Sequence, residues 1–150
     1  MRITFKGDYA LKAVLDLAIH YGSPVSIEEI SKRQDIPYKF LEQILLQLKK
    51  GGFVKSQRGR YGGYLLSRIP AKIQLANVIE YIEGPLEPIT CVAKYSQTHC
   101  DYSKRCALHD IFNSIGKVIR DEVEKYTFED IKNMQLKKQM AKKAYMDYSI

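Results

Sequence analysis

Hydrophobic and polar positions along the first third of the chain follow helical periods. Between residues 8 and 21 the apolar side chains recur every three or four positions, as in an amphipathic helix. These residues are Leu11, Val14, Leu15, Ala18 and Ile19. Ser26 stands three residues before Glu29, a capping box that predicts a second, short helix ending near Gln34. A third stripe follows Pro37, which suits a first helical position. Its members are Phe40, Leu41, Ile44, Leu45 and Leu48.

A glycine-rich turn between two extended runs follows the third predicted helix. Residues 53–56 and 64–67 are typical of short strands, and they flank the sequence QRGRYGG of residues 57–63. Three helices followed by a hairpin is the order of a winged helix-turn-helix. Residues 37–50 would then be the recognition helix and the hairpin would be the wing.

The second half of the chain predicts helices on either side of a loop. A short helix is expected over residues 75–83, whereas residues 85–105 show no sustained period. A helical stripe then runs to about residue 126, with Leu108, Phe112, Ile115, Ile119 and Val123 as its apolar members. This helix is long enough to pack against a second copy of the chain, which favours a homodimer. An intrachain core helix that covers the first half is the alternative.

The predicted fold class is mainly α with a small β-hairpin wing: a winged helix-turn-helix plus a long C-terminal dimerisation helix. Residues 1–72 would form the DNA-binding domain, and residues 73–136 the cysteine-containing loop and the dimerisation helices. Thr127 and Asp130 form another capping box within the second part. Residues 137–150 carry lysine pairs without an apolar stripe, so a basic, frayed helical tail is expected there.

Charge is concentrated in the first half of the 150-residue chain. The net charge is +7, and residues 1–72 contain 13 Lys and Arg against 6 Asp and Glu, whereas the remainder has 11 of each. This asymmetry favours a first module that binds a polyanion such as nucleic acid, although a merely soluble basic surface is the alternative. No apolar run approaches the roughly 20 residues that span a bilayer, and the N-terminus lacks a secretory apolar core. We therefore expect no membrane span and a cytoplasmic location.

The polar face of the predicted recognition helix suits base reading in the major groove of double-stranded DNA. Gln43 can form two hydrogen bonds with adenine, and Glu42 can accept one from cytosine. The glycine-rich wing would allow Arg58 and Arg60 to reach phosphates or the minor groove. The DNA-contact candidates are Tyr38, Lys39, Glu42, Gln43, Lys49, Lys55, Arg58, Arg60 and Tyr61. For any one of them, an ordinary solvated position is the alternative.

Three cysteines, Cys91, Cys100 and Cys106, lie in or next to the segment without periodicity. An odd number in a reducing compartment argues against a disulfide framework, whereas thiolates in a polar loop suit iron or zinc. His109 follows Cys106 by three residues and lies on a neighbouring face of the same helical turn. Three unconnected thiols are the alternative. A CCCH zinc finger that binds RNA is disfavoured, because only two residues separate Cys106 from His109.

The chain resembles the Rrf2 family of bacterial winged-helix regulators. The resemblance rests on residues 1–18, MRITFKGDYALKAVLDLA, on residues 30–68, ISKRQDIPYKFLEQILLQLKKGGFVKSQRGRYGGYLLSR, and on three cysteines before a long helix. It implies a homodimer with crossed C-terminal helices that binds an operator, usually as a repressor, and that is not an enzyme. Some members sense iron–sulfur status, redox state or nitric oxide, whereas metal-free members control cysteine metabolism with a protein partner.

In the cluster-binding members three loop cysteines hold a [2Fe-2S] or [4Fe-4S] cluster, which the resemblance carries onto Cys91, Cys100 and Cys106. One family pattern has a histidine three residues after the last cysteine, matched by His109. Another uses an acidic residue near the start of the other subunit's first helix, matched by Asp8. We favour His109, because it is local to the third cysteine and imidazole is the softer ligand, and with it a [2Fe-2S] cluster. Eight residues, not the family's five, separate the first two cysteines.

Overall fold

The structure is a computed structural model that describes residues 3–93 and 100–147, with side chains through residue 145. Within these residues the chain forms six α-helices and one antiparallel hairpin. They are α1 (Phe5–Ile19), α2 (Ile27–Gln34), α3 (Tyr38–Lys50), β1 (Val54–Gln57), β2 (Gly63–Leu66), α4 (Leu75–Glu83), α5 (Ala107–Val123) and α6 (Phe128–Asp147). The mainly α fold with a two-stranded wing and a long C-terminal helix is therefore confirmed.

The main core lies where the first three helices meet the hairpin. Its buried side chains include Val14, Leu17, Ile30, Ile36, Leu41, Ile44, Leu45, Leu48, Val54 and Leu66. Phe128, at the start of α6, also belongs to this core and is almost fully buried. Its N–H donates to the carbonyl oxygen of Ile73 at 2.9 Å. The last helix therefore covers the N-terminal half of the chain.

Both predicted capping boxes form. The Glu29 N–H donates to the Ser26 hydroxyl at 3.2 Å, and the Ser26 N–H donates to the Glu29 carboxylate at 2.9 Å. At the start of α6 the Asp130 N–H donates to the Thr127 hydroxyl at 3.2 Å, and the Thr127 N–H to the Asp130 carboxylate at 2.8 Å. The hydrogen bonds from Ser26 hold the pKa of Glu29 below its ordinary value, and those from Thr127 do the same for Asp130. Local side-chain chemistry thus starts both helices.

The C-terminal tail differs from its predicted form. Fraying was expected from residue 137, but α6 continues without a break to Asp147. Lys, Gln, Met and Ala are all good helix formers, so this segment keeps its helix even without an apolar stripe. None of the helices in the described part of the chain combines the length and apolar content that crossing a membrane requires.

The wing is joined to the segment between the first two helices. The hairpin strands pair in the register Val54 to Leu66 through Gln57 to Gly63. Val25, which precedes α2, donates its N–H to the carbonyl oxygen of Tyr64 at 2.9 Å and accepts from the Tyr64 N–H at 2.8 Å. Gly63 makes this approach feasible, because a Cβ there would lie 2.4 Å from the Val25 oxygen. The hairpin is thereby held against the helical core.

Asp16 is a buried carboxylate between α1 and α2, with about 1% of its surface exposed. It accepts hydrogen bonds from Nε and Nη2 of Arg33 at 3.0 and 2.8 Å, and from Nε2 of Gln34 at 3.0 Å. The bond to Asp16 raises the pKa of Arg33. The buried carboxylate thus accepts hydrogen bonds from the Arg33 guanidinium and the Gln34 amide. These bonds fix the orientation of α2 on α1.

Phe40 is not the core residue that its position in the apolar stripe predicted. It is 54% exposed, and its ring meets the edge of Tyr9 with 6.4 Å between centroids. The buried residues of α3 are Leu41, Ile44, Leu45 and Leu48. These four already form a stripe with helical spacing, and Phe40, one residue before it, is turned by about 100° to its margin.

Candidate DNA-binding surface and cysteine loop

The recognition helix α3 presents the predicted polar face to solvent. Pro37 is the residue that precedes the helix, not its first helical residue, and α3 begins at Tyr38. The four candidates on its first turns are exposed: Tyr38, Lys39, Glu42 and Gln43. Since the opposite face is buried in the core, these side chains are free to enter a groove of DNA.

The wing and the recognition helix form one continuous surface. Lys49 in the last turn of α3 donates a hydrogen bond from Nζ to Oγ of Ser56 on β1, at 2.6 Å. Tyr64 on β2 is half-buried, and burial, together with the negative charge of Glu42 and the proximity of Tyr38, raises its pKa. The second strand therefore lies beside the first turns of α3, and the first strand beside the last turn.

The wing tip is basic and exposed. Lys55, Arg58, Arg60 and Tyr61 all face solvent. The Arg60 guanidinium carbon lies 5.7 Å from the centroid of the Tyr61 ring, a cation–π distance. All nine predicted DNA-contact residues thus lie at exposed positions of α3 and the hairpin.

The three cysteines are free and half-buried in the segment that precedes α5 and at its start. Cys91 lies in the short 3₁₀ turn Thr90–Val92, and Cys106 is the residue that precedes α5, where its side chain makes no capping hydrogen bond. Most of the loop between Cys91 and Cys100 lies outside the described residues. Within residues 3–93 and 100–147, no three His, Cys, Asp or Glu side chains converge as metal ligands do.

The two candidates for the fourth ligand differ in their surroundings. His109 lies in the first turn of α5, and its Nδ1 is buried without a hydrogen bond in the described part of the chain; the Asp110 Oδ1 lies 3.5 Å away. Asp8 lies in the first turn of α1, and its carboxylate pairs with Nζ of Lys12 at 2.7 Å. Each candidate thus has a charged neighbour, but the His109 nitrogen is buried and makes no hydrogen bond among the described residues, whereas Asp8 is bonded to Lys12.

A cluster of charges surrounds Arg120 on α5 and was not predicted from the sequence. Arg120 donates from Nη1 to Oε1 of Glu80 at 3.0 Å and from Nη2 to Oε1 of Glu87, and Glu124 lies 3.4 Å from Nη1. The bond to Glu87 is the main cause that raises the pKa of Arg120. The only local signal is that this arginine lies between the apolar positions Ile119 and Val123.

The apolar stripe predicted on α5 is divided between two faces. Phe112, Ile119 and Val123 are half-buried against the chain. Four apolar residues are exposed on the other side: Leu108, Ile111, Ile115 and Val118. Their spacing of three, four and three residues places them on one face of the helix. A long helix with an uncovered apolar face is a feature of helices that pack against a partner.

Comparison with known proteins identifies the chain's relatives. A family model described as Rrf2, iron-dependent transcriptional regulator, matches residues 3–134. The chain is 36% identical over 132 residues to a putative helix-turn-helix transcriptional regulator of Neisseria meningitidis, covering 87% of each protein. It is 35% identical over 136 residues to the helix-turn-helix transcriptional regulator IscR of Erwinia tasmaniensis, covering 90% of this chain and 81% of that protein.

Solved structures share the fold over nearly the same length. CymR, the global cysteine regulator of B. subtilis, aligns with a TM-score of 0.74 and 29% identity, over 89% of this chain and 98% of that one. IscR of T. potens aligns with a TM-score of 0.71 and 31% identity, over 87% and 85%. These relatives are regulators, not enzymes. With its exposed recognition helix and basic wing, the chain belongs to the Rrf2 family of helix-turn-helix transcriptional regulators.

Proposed function

We propose that this chain is a homodimeric repressor that senses iron–sulfur status, redox state or nitric oxide through a cluster on Cys91, Cys100 and Cys106. The observation that carries the proposal is the buried Nδ1 of His109, which makes no hydrogen bond among the described residues and lies one helical turn after the free Cys106. A buried polar atom without a partner is costly, and a metal ion would satisfy it. The description of the family model as iron-dependent supports the same function.

The donor set suits iron, since three thiols and one imidazole are soft or borderline ligands. The thiols do not converge in the described residues, so cluster binding would require Cys91, Cys100 and Cys106 to come together. When bound, a [2Fe-2S] cluster would supply reversible one-electron chemistry and a target for nitric oxide. Its gain or loss changes operator affinity only if it favours one placement of the DNA-binding surfaces over another.

Asp8 of the partner subunit is the alternative fourth ligand. Its carboxylate is already bonded to Lys12, whereas Nδ1 of His109, although 3.5 Å from Asp110, is buried and makes no hydrogen bond among the described residues. We therefore assign the fourth position to His109.

On the DNA side, we propose that the early face of α3 reads bases and that the wing binds the backbone. Gln43 and Glu42 are exposed where a helix in the major groove meets base edges. Lys39, Lys49 and Lys55 suit phosphates, as do Arg58 and Arg60 at the wing tip. Tyr38 and Tyr61 are also exposed, and we include them among the proposed DNA contacts.

The exposed apolar face of α5 supports the dimer. Two copies of this face would bury Leu108, Ile111, Ile115 and Val118 against each other in a self-complementary contact. Such pairing would also bring the two cysteine loops, which lead directly into α5, close to the dimer axis.

A metal-free regulator that acts with a protein partner is the second candidate. It is favoured by the similarity to CymR, which extends over 98% of that chain. The eight-residue spacing between Cys91 and Cys100 is a further departure from the cluster-binding pattern. In this case the thiols would have a redox role or none.

The test is an anaerobic visible spectrum with iron and sulfide counts on the purified protein, repeated for Cys100→Ala, His109→Ala and Asp8→Ala. We expect charge-transfer bands that Cys100→Ala and His109→Ala remove and Asp8→Ala keeps. Loss in Asp8→Ala alone would transfer the fourth position to Asp8. A protein that stays colourless after reconstitution, or that holds zinc without sulfide, would refute the cluster.

A further inference from the structure

Helix α4 contacts the recognition helix through Tyr81. The Tyr81 hydroxyl donates a hydrogen bond to the carbonyl oxygen of Gln47 on α3 at 3.0 Å. Its ring packs on Phe53, with 5.4 Å between the centroids. A Cβ at Gly51 would lie 2.6 Å from this ring, so the backbone at the end of α3 passes close to Tyr81. The C-terminal end of the recognition helix therefore rests on α4.

Glu80, the neighbour of Tyr81 on α4, is linked through α5 to the cysteine loop, the segment of residues 84–106 that carries the three cysteines. Glu80 accepts from Nη1 of Arg120, and Nη2 of the same guanidinium donates to Glu87, four residues before Cys91. The side chains of Arg120 and Glu87 are only 16% and 7% exposed. A Cβ at Gly116 would lie 3.2 Å from the side chain of Glu87, so this part of the loop lies close against α5.

We propose that Arg120 and Tyr81 are positioning residues that couple the cysteine loop to the recognition helix through α4. This inference rests on the proposed function, because it names how the state of the loop reaches the DNA-binding surface. Glu87 lies at the loop end of the connection, and Gln47 at the DNA end.

The coupling follows from the charges and the rigidity of the parts. Arg120 uses two different nitrogens for Glu87 and Glu80, so a loop that moves Glu87 also displaces the guanidinium from Glu80. Charge-assisted hydrogen bonds between poorly exposed groups are strong, so positions of Arg120 in which these bonds are only partly formed are unfavourable. Helix α4 has nine residues and moves as a unit, so a shift at Glu80 is transmitted to the adjacent Tyr81.

A double-mutant cycle tests the coupling without reference to any cluster. Operator affinity is measured for Glu87→Gln, Tyr81→Phe and the double variant, on a duplex selected from a random library by the wild-type protein. Each single variant removes one hydrogen bond or its charge, and we expect affinity to fall about fivefold. Since both changes break the same connection, the double variant should also lose about fivefold, whereas independent effects would multiply to about 25-fold.

The matched control is Glu124→Gln. Glu124 also contacts Arg120 but directly follows α5 and lies outside the connection, so the operator affinity of this variant should equal that of the wild type. Arg120→Met should reproduce the loss of Glu87→Gln, and equal melting temperatures show that the variants are folded. Multiplicative losses, or single variants with unchanged affinity, would overturn the coupling.

Amide hydrogen exchange supplies a second readout, because a general loss of stability would not confine faster exchange to the end of α3. The Gly51 N–H donates to the same Gln47 carbonyl as Tyr81, at 3.0 Å. In Glu87→Gln we expect faster exchange at residues 47–53 and unchanged exchange in α2; equal exchange at 47–53 would contradict the proposal. Iron and sulfide counts on the same samples separate the two hypotheses. If the double variant loses no more affinity than the single variants but the protein is colourless, only the cluster proposal is refuted. If the losses multiply in a protein that holds the cluster, only the coupling is refuted.

Discussion

Lys49 in the recognition helix and Ser56 in the wing are joined by a 2.6 Å hydrogen bond, from Nζ to Oγ. The bond fixes a positive charge at the junction of helix and hairpin, on the exposed side of both. In the proposed complex, α3 enters the major groove and the wing lies on the DNA backbone. An ammonium group at their junction can bind a phosphate at the edge of that groove.

We expect Lys49→Met to lower DNA affinity about fivefold at fixed salt and to do so on specific and unrelated duplexes alike. Loss of one phosphate contact should also make the slope of log affinity against log salt shallower by about 0.9. Ser56→Ala is the control, since it removes the hydrogen bond and keeps the charge, so its slope should be that of the wild type. A slope in Lys49→Met equal to that of the wild type would remove Lys49 from the phosphate contacts.

Gly63→Ala should damage the wing more than Gly59→Ala does. Both glycines have positive φ, +155° at Gly63 and +116° at Gly59, so alanine is strained at either position. Only Gly63 also faces backbone, the carbonyl oxygen of Val25, whereas a Cβ at Gly59 meets open space. We expect a loss of about 1 kcal/mol of unfolding free energy for Gly59→Ala and at least about 2 kcal/mol for Gly63→Ala. Urea denaturation measures both, and equal losses would show that the Val25 contact yields easily.

Asp16→Ala should be strongly destabilising. It leaves Arg33 and Gln34 without the buried acceptor that fixes α2 on α1. Loss of one partner of a buried pair typically costs about 3 kcal/mol, reduced here because Arg33 is partly exposed, so we expect about 2 kcal/mol in urea denaturation. Glu122→Gln, which removes an exposed pair with Lys125, is the control and should leave stability unchanged. A loss in Asp16→Ala no larger than in this control would mean that other packing fixes α2.

Val118→Asp should prevent the proposed dimer from forming. Val118 is 69% exposed in the single chain, at the C-terminal end of the apolar face of α5 that we propose as the interface. A carboxylate buried against its symmetry mate would be unpaired and close to a like charge. Asn113→Asp adds the same charge on the opposite side of α5 and should remain dimeric. Sedimentation equilibrium distinguishes the two, and a dimeric Val118→Asp would place the interface elsewhere.

The stabilising effect of Asp130 should disappear in acid. Hydrogen bonds from Thr127 lower the pKa of Asp130 below its ordinary value of 3.8. A lowered pKa in the folded state means that the stabilisation is complete above about pH 4 and is lost as the pH falls through the folded-state pKa. The melting temperature of Asp130→Ala should therefore lie below that of the wild type near pH 6, and the gap should narrow below pH 4. A gap that does not change with pH would show that the ionised carboxylate is not what starts α6.

Features encoded over a few residues were predictable. The capping boxes at Ser26 and Thr127 formed, and α4 covers the predicted residues 75–83, because each depends on side chains within one turn of its own backbone. The exposure of the DNA-contact candidates was also predictable from local pattern, since polar positions between buried ones face outward. The error at Phe40 has the same origin, because a period of three or four residues does not say how wide the buried stripe is.

The order of helices, the wing, the uneven charge and the family were determined by the sequence alone, because period, turn residues and charge are properties of neighbouring positions. Only the tertiary structure decided that Val25 pairs with Tyr64, that Tyr81 supports the recognition helix, and that Arg120 joins the cysteine loop to α4. These partners are separated by 33 to 40 residues along the chain. Which of the chain's many acids an arginine meets at such separations depends on how whole helices pack, and no local sequence pattern shows it.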